Sequence, residues 1–271
     1  MASIRIIGPG RAGSALALAL TKAGWDVAPL LGRSDDPSDA AAGVDLLVIA
    51  TPDDAVATVA RAVRPVPSTV VAHLSGALGL ESLAPHPRRA GLHPLVALPN
   101  AELGAQRLVG AWYGVAGGEP VVGEVVAALE GRAYDIDDER RALYHAAASI
   151  ASNHLVALLG QVERLAAEIG VPFDAYRDLV DATLANVDEL GPRGALTGPA
   201  ARGDDATIRR HLEALPAHEH PAYHGMVDAA RRLAGTLPSS VDNQPDDPDD
   251  ATEHGVGDAE STGGRDGGRS Q

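Results

Sequence analysis

The chain of 271 residues contains no cysteine, which excludes a disulfide frame, a thiolate nucleophile and a cysteine-ligated metal. No metal site of any kind is expected. Lysine is almost as scarce: Lys22 is the only one, and the remaining basic residues are arginines. There is no uninterrupted apolar run of membrane-spanning length and no charged-then-apolar leader, so the sequence reads as soluble and cytoplasmic. Positive charge is in deficit, with a formal net charge of -15. That balance argues against nucleic acid and anionic membranes as partners.

Much of the negative charge sits at one end. Residues 239–271 carry nine acidic residues against Arg265 and Arg269, and almost nothing apolar. Such a composition cannot bury enough surface to fold, so a disordered acidic tail is expected there. An acidic surface this poor in lysine also fits a protein working in high salt, where self-repulsion is screened.

What the chain does have begins at its eighth residue. Gly8-Pro9-Gly10-Arg11-Ala12-Gly13 follows the apolar run Ile4–Ile7 and opens into Ser14–Leu20, strong helix-forming material. Strand, tight turn and helix N-terminus are the context a dinucleotide fingerprint requires. The first glycine makes the turn, the second lets backbone approach a pyrophosphate, and the third lets the helix lie close to the strand. Unpaired N–H groups and the positive end of the helix dipole then face the phosphates.

A second strand is expected over Trp25–Leu31, ending in Gly32-Arg33-Ser34. Roughly twenty residues past the fingerprint, an NAD site places an acid on the ribose 2′-hydroxyl. Arg33 and Ser34 stand there instead, a cation and a hydroxyl suited to a 2′-phosphate, with Asp35 and Asp36 following as counter-evidence. NADP(H) is therefore the expected cofactor. Further strands are expected at 44–50 and 69–74, with a helix over 55–63 between them. Their ends bring Thr51, Pro52, Ser75 and Gly76 to the cofactor crevice, where any two of them could equally be turn residues. Short strands at 91–95 and 112–116 and a helix over 121–129 complete an α/β domain, residues 1–133.

Beyond it the period turns helical. Residues 138–169 read as one long helix, apolar or small nearly all round from 141 to 159, as in a bundle or a subunit interface. Helices over 174–189 and 204–215, the latter capped by Asp204 or Asp205, complete an all-α domain at 134–238 that is expected to bind substrate and form a homodimer. Within the long helix His145, Ser149 and Asn153 fall at i, i+4 and i+8, one polar stripe among alanines. It is either a satisfied seam between helices or a substrate site. The Gly- and Pro-rich segment 191–204 reads as a shaped loop, in which Thr197 and Arg202 are candidates for holding a substrate carboxylate.

Taken together, the glycine fingerprint, His73-Leu74-Ser75-Gly76-Ala77-Leu78, His93-Pro94-Leu95, Tyr144-His145-Ala146-Ala147, Ser152-Asn153 and the block Ala195–Asp204 resemble a family of oxidoreductases. Their N-terminal half is Rossmann-like and their C-terminal half is domain of unknown function 2520. The resemblance runs from about residue 3 to 237. It implies an NADP-type dehydrogenase architecture related to pyrroline-carboxylate, ketopantoate and F420-dependent NADP reductases, and it names no substrate. Several wider relatives use a lysine four residues before an asparagine; here Ser149 stands four before Asn153, so their ammonium acid is missing. The expected function is reduction of a C=O or C=N bond of a small oxo or imino acid, ketopantoate-like compounds included. His145 would donate the proton, Asn153 would polarise the bond, and His93 would be the second choice of acid. The rival expectation is a non-catalytic NADP(H) sensor or scaffold.

Overall fold

The computed structural model describes residues 2–235; the expected acidic tail at 239–271 lies outside them. The described residues divide into two compact units, separated between Val171 and Pro172.

The first unit is built on a seven-stranded sheet of order β2-β1-β3-β4-β5-β6-β7. Its strands are β1 (Ser3–Ile7), β2 (Asp26–Val27), β3 (Leu46–Ile49), β4 (Val70–His73), β5 (Arg89–Pro94), β6 (Trp112–Ala116) and β7 (Arg132–Asp135). All neighbours pair in parallel except β5 and β6. The order reverses between β1 and β3, which opens a crevice beyond their carboxyl ends. β2 is shorter than the sequence suggests. Pro29 has no N–H to offer the ladder, which resumes where Leu31 bridges Ile7.

β3 and β4 are buried along their whole length, and alternate residues feed the two faces. Leu46, Val48, Val70 and Ala72 join Leu16 and Leu20 of α1 (Arg11–Lys22), Leu108 of α3 (Ala101–Leu108) and Val125 of α4 (Pro120–Ala128). Leu47, Ile49 and Val71 pack on the other face against Val56 and Ala60 of α2 (Asp53–Ala62). α3 and β7 carried too little periodicity to stand out in the sequence. α3 is held against α1 by Gly104, where a Cβ would sit 2.8 Å from the Ala15 methyl.

The long helix is continuous but not uniform. A 3₁₀ turn at Asp138–Arg140 leads into α5 (Arg141–Ser149), a π turn at Ile150–His154 and α6 (Leu155–Glu168). By length and composition this rod could cross a membrane, although Tyr144, His145, Ser149, Ser152 and Asn153 interrupt its apolar character. The expected domain boundary at 133/134 does not coincide with the compact units. The rod stays with the sheet, because Arg141 is only 1% exposed and Tyr144 reaches Gly114 of β6. Most of its other apolar residues are exposed in the single chain: Leu143 by 76% and Val156 by 70%.

The second unit holds α7 (Asp174–Ala195), α8 (Pro199–Arg202), α9 (Asp205–Ala214) and α10 (His220–Ala234). α7 runs past its expected end, broken at Gly191 (φ 71°, ψ 166°), with Pro192 beginning a last short helical turn. The segment read as a loop is thus partly helical, since proline is tolerated in a first turn. Asp204 caps α9, its carboxylate accepting the Thr207 N–H at 3.0 Å. Ile208 and Val227 are the buried apolar side chains among the described residues of this small unit.

Candidate functional site

The fingerprint folds as a turn that glycine alone can make. Gly8 has φ +107°, and a Cβ there would lie 2.6 Å from the Ala50 carbonyl oxygen. At Gly13 a Cβ would come within 2.0 Å of the Gly8 oxygen, so the helix is pressed against the turn. Gly10 is different: nothing lies within 4 Å of the position its Cβ would take. That open approach is the place a pyrophosphate needs. Gly10 caps α1 without a side-chain hydrogen bond, and no acid occupies the first turn, where Arg11, Ala12 and Gly13 stand. Their N–H groups are available to an anion.

Beside this turn lies a cavity of about 430 Å³, lined by Pro9, Gly10, Arg33, Asp35, Thr51 and Pro52 among others. The buried Thr51 hydroxyl has no hydrogen-bond partner, and a buried hydroxyl left that way calls for a ligand. These features fit a dinucleotide. Arg33 lines the cavity, whereas Ser34 is not among its lining residues. The Asp35 carboxylate accepts the Gly32 N–H at 2.7 Å, which ties it to its own turn.

β3 and β4 pair with Ile49 opposite His73, so Thr51 and Ser75 leave the sheet two residues further on, side by side. Ser75 is committed to shaping its turn. Its hydroxyl donates to Asp53 at 2.8 Å and accepts the N–H groups of Ala77 and Leu78 at 3.1 and 3.0 Å. Gly76 is buried beneath two imidazoles. A Cβ there would meet Cδ2 of His145 and Cε1 of His93, each at 2.9 Å, and Nε2 of His93 at 3.0 Å.

Above them opens a second cavity of about 600 Å³. His93, His145, Ser149 and Asn153, all singled out by sequence, line it together, as do Tyr144 and Ser152. Ser152, three residues past Ser149 and seven past His145, lies on the same helical face. The π turn widens the helix there, a distortion that recurs at functional sites. Ser152 Oγ donates to the Ala148 carbonyl at 3.0 Å, and His154 is exposed and outside the lining. Tyr144 escaped the sequence reading because its partner, His93, lies 51 positions away. Thr197 and Arg202 are exposed residues of the second unit, Arg202 ending α8.

Burial dominates the electrostatics. His93 is pushed down to about 4 by burial and by the neighbouring His145 and Arg141. His73 is fully buried, without a hydrogen bond of ordinary geometry on either ring nitrogen, and burial and Arg141 lower it as well. Arg141 donates through Nε to Asp138 at 2.7 Å. Burial opposes ionisation of Asp138, but the Leu80 N–H and this guanidinium prevail and hold it below the ordinary carboxylate range. Tyr144 is pushed up by burial and by the Tyr134 hydroxyl, so it stays protonated.

Residues 35–99 match a Rossmann-like domain family, and residues 114–230 match Domain of unknown function (DUF2520). No curated protein matches the chain by sequence. Among solved structures, BF3122 from Bacteroides fragilis, a candidate NADP oxidoreductase, is 21% identical with a TM-score of 0.68, over 85% of this chain and 98% of its own. Protein TM1727 from Thermotoga maritima is 22% identical with a TM-score of 0.67, over 86% and 98%. A reductive aminase from Aspergillus terreus, solved with NADPH and ethyl-5-oxohexanoate, is 17% identical with a TM-score of 0.63, over 88% and 98%. At these identities the likeness establishes the fold.

Proposed function

We propose that the chain, which matches a Rossmann-like domain over residues 35–99 and a DUF2520 domain over residues 114–230, is an NADP(H)-dependent oxidoreductase. It reduces a C=O or C=N bond of a small oxo or imino acid. The observation that carries this reading is the convergence of His93 and His145 over Gly76, one strand away from the crevice that Thr51 and Pro52 line. The NADPH complex of the Aspergillus reductive aminase supports the choice of cofactor.

In this reading the backbone N–H groups of Arg11 to Gly13 hold the pyrophosphate and Arg33 holds the ribose 2′-phosphate. The cofactor, once bound, supplies a hydride. His145 delivers a proton to the substrate oxygen or nitrogen, a task for which imidazole is suited near neutrality. Asn153 polarises the same bond by hydrogen bonding. Leu95, Val96 and the alanines Ala147 and Ala148 of α5 line the cavity with apolar surface.

The test is oxidation of NADPH with a panel of oxo and imino acids, followed by His145→Gln. That substitution should leave NADPH affinity intact and lower kcat by roughly 10²–10⁴. Unchanged turnover would move the proton to another donor. Tight NADPH binding with no turnover on any substrate would favour a sensor or scaffold.

The protein is also read as a cytoplasmic homodimer. α7 has no fully buried residue, and Leu143, Val156 and Leu179 stand 76, 70 and 64% exposed in a single chain. Apolar helices left uncovered in this way call for a second copy of the same surface. Light scattering at micromolar concentration should return twice the chain mass, and a monomer would refute the assembly.

A further inference from the structure

The two imidazoles over Gly76 are not equivalent. Nδ1 of His93 lies 2.5 Å from the Tyr144 hydroxyl, with the two rings edge to face and 5.4 Å apart. His145 packs against His93 edge to face at a ring distance of 6.2 Å, and among the described residues no side-chain hydrogen bond holds it. A hydrogen bond to one ring nitrogen dictates where the proton of a neutral imidazole resides. Phenol is the stronger donor of this pair and imidazole nitrogen the stronger acceptor. The Tyr134 hydroxyl also neighbours Tyr144, but it is a weaker acceptor than the imidazole nitrogen, so the O–H points to Nδ1 and the ring proton is left on Nε2. That nitrogen is the one beside the Gly76 position where the two histidines meet.

We propose that Tyr144 is a positioning residue that holds His93 as a neutral imidazole with its proton on Nε2, so that His93 joins Asn153 in hydrogen bonding to the developing oxyanion of a C=O substrate while His145 supplies the proton. The assignment rests on the reductase reading above. It divides labour between paired groups whose surroundings differ, with one neutral electrophile and one acid. The surroundings of His93 agree with it. Arg141 and His145 from α5 and His73 from β4 disfavour a positive ring, and Asp53 from α2 opposes them without prevailing. Tyr144 keeps its proton, as a donor must.

The tautomer is measured directly by long-range ¹H–¹⁵N correlation spectra of the full chain labelled in histidine, with His93→Gln used for assignment. The expected pattern is an Nε2–H ring at His93 that stays neutral from pH 8 to pH 5. In Tyr144→Phe, which keeps the ring and removes only the hydroxyl, His93 should become a mixture of tautomers. A proton on Nδ1, a midpoint near the ordinary 6.5, or an unchanged ring in Tyr144→Phe would overturn the proposal. In turnover, Tyr144→Phe should lower kcat about tenfold, the size of one lost hydrogen bond, and leave KM in place. An unchanged kcat would likewise overturn it. The spectra need no turnover, so the two readings fail separately. A wrong tautomer sinks only the assignment of Tyr144 and His93. Absence of NADPH oxidation by the unmutated protein sinks the reductase and the role of His93 with it.

Discussion

Two cavities stand at the same end of one sheet, and they are made of different materials. The crevice beside α1 is shaped by backbone: a turn at Gly8, a close contact at Gly13, an open approach at Gly10. The cavity beside α5 is shaped by side chains from distant parts of the chain, with His93 on β5 and Tyr144 and His145 on a helix some fifty residues later. The first can be specified by six consecutive residues, because steric exclusion acts over short range. The second needs the whole sheet in place before its groups meet.

If that contrast is right, damage to the backbone site should be the most severe. Gly13→Val would force a side chain to within 2.0 Å of the Gly8 carbonyl. We expect a loss of at least about 3 kcal/mol of stability, beyond ordinary overpacking, and no NADPH binding by thermal melting and titration. Gly10→Ala is the sharpening control. With open space around it, its Tm should barely change while NADPH affinity falls.

The side-chain site should show itself through pH. His93 is neutral in the folded protein down to about pH 4, whereas in the unfolded chain it takes up a proton near 6.5. Between those values the unfolded state binds the extra proton, so stability falls as pH drops from 6.5 to 4 and levels off below. The full effect is on the order of 3 kcal/mol. His73, lowered by burial, adds in the same direction. Chemical denaturation at pH 7 and pH 4.5 should show the loss, and His93→Gln should shrink it. An identical loss in that variant would remove His93 as its source.

The smallest effect returns to the crevice. Arg33→Ala should weaken NADPH by about 1.5–3 kcal/mol, the value of one charge-assisted contact, and leave NADH nearly unchanged. Equal affinity of the unmutated protein for both nucleotides would remove the 2′-phosphate from Arg33.

The same contrast explains what could be read from sequence. The fingerprint, the buried strands β3 and β4 and the cap at Asp204 all depend on neighbours within a few residues, and each was legible. The stripe of His145, Ser149 and Asn153 was legible as a helical period, but the π turn at Ile150–His154 was not, since nothing local in that segment announces it. Tyr144 was in plain view one residue from His145, yet its meaning depends on His93. α10 has an ordinary amphipathic pattern, but Pro216 and Pro221 stand at its approach and first turn and break the helical period that precedes it. The long helix was expected to be buried in a bundle or a subunit interface; in the single chain Arg141, Gln161 and Ala166 are its buried residues, and most of its apolar side chains are exposed.

One last consequence follows from α1. Its N-terminus faces the nucleotide crevice, and its final residue, Lys22, is exposed in the last turn. No other side-chain amine exists in the sequence. An amine-reactive dye therefore has a single side-chain address, at the far end of a rod about 18 Å long. The reduced nicotinamide ring is fluorescent, so a dye on Lys22 would report binding by energy transfer across that rod. The protein comes with its own ruler, and no cysteine needs to be introduced to use it.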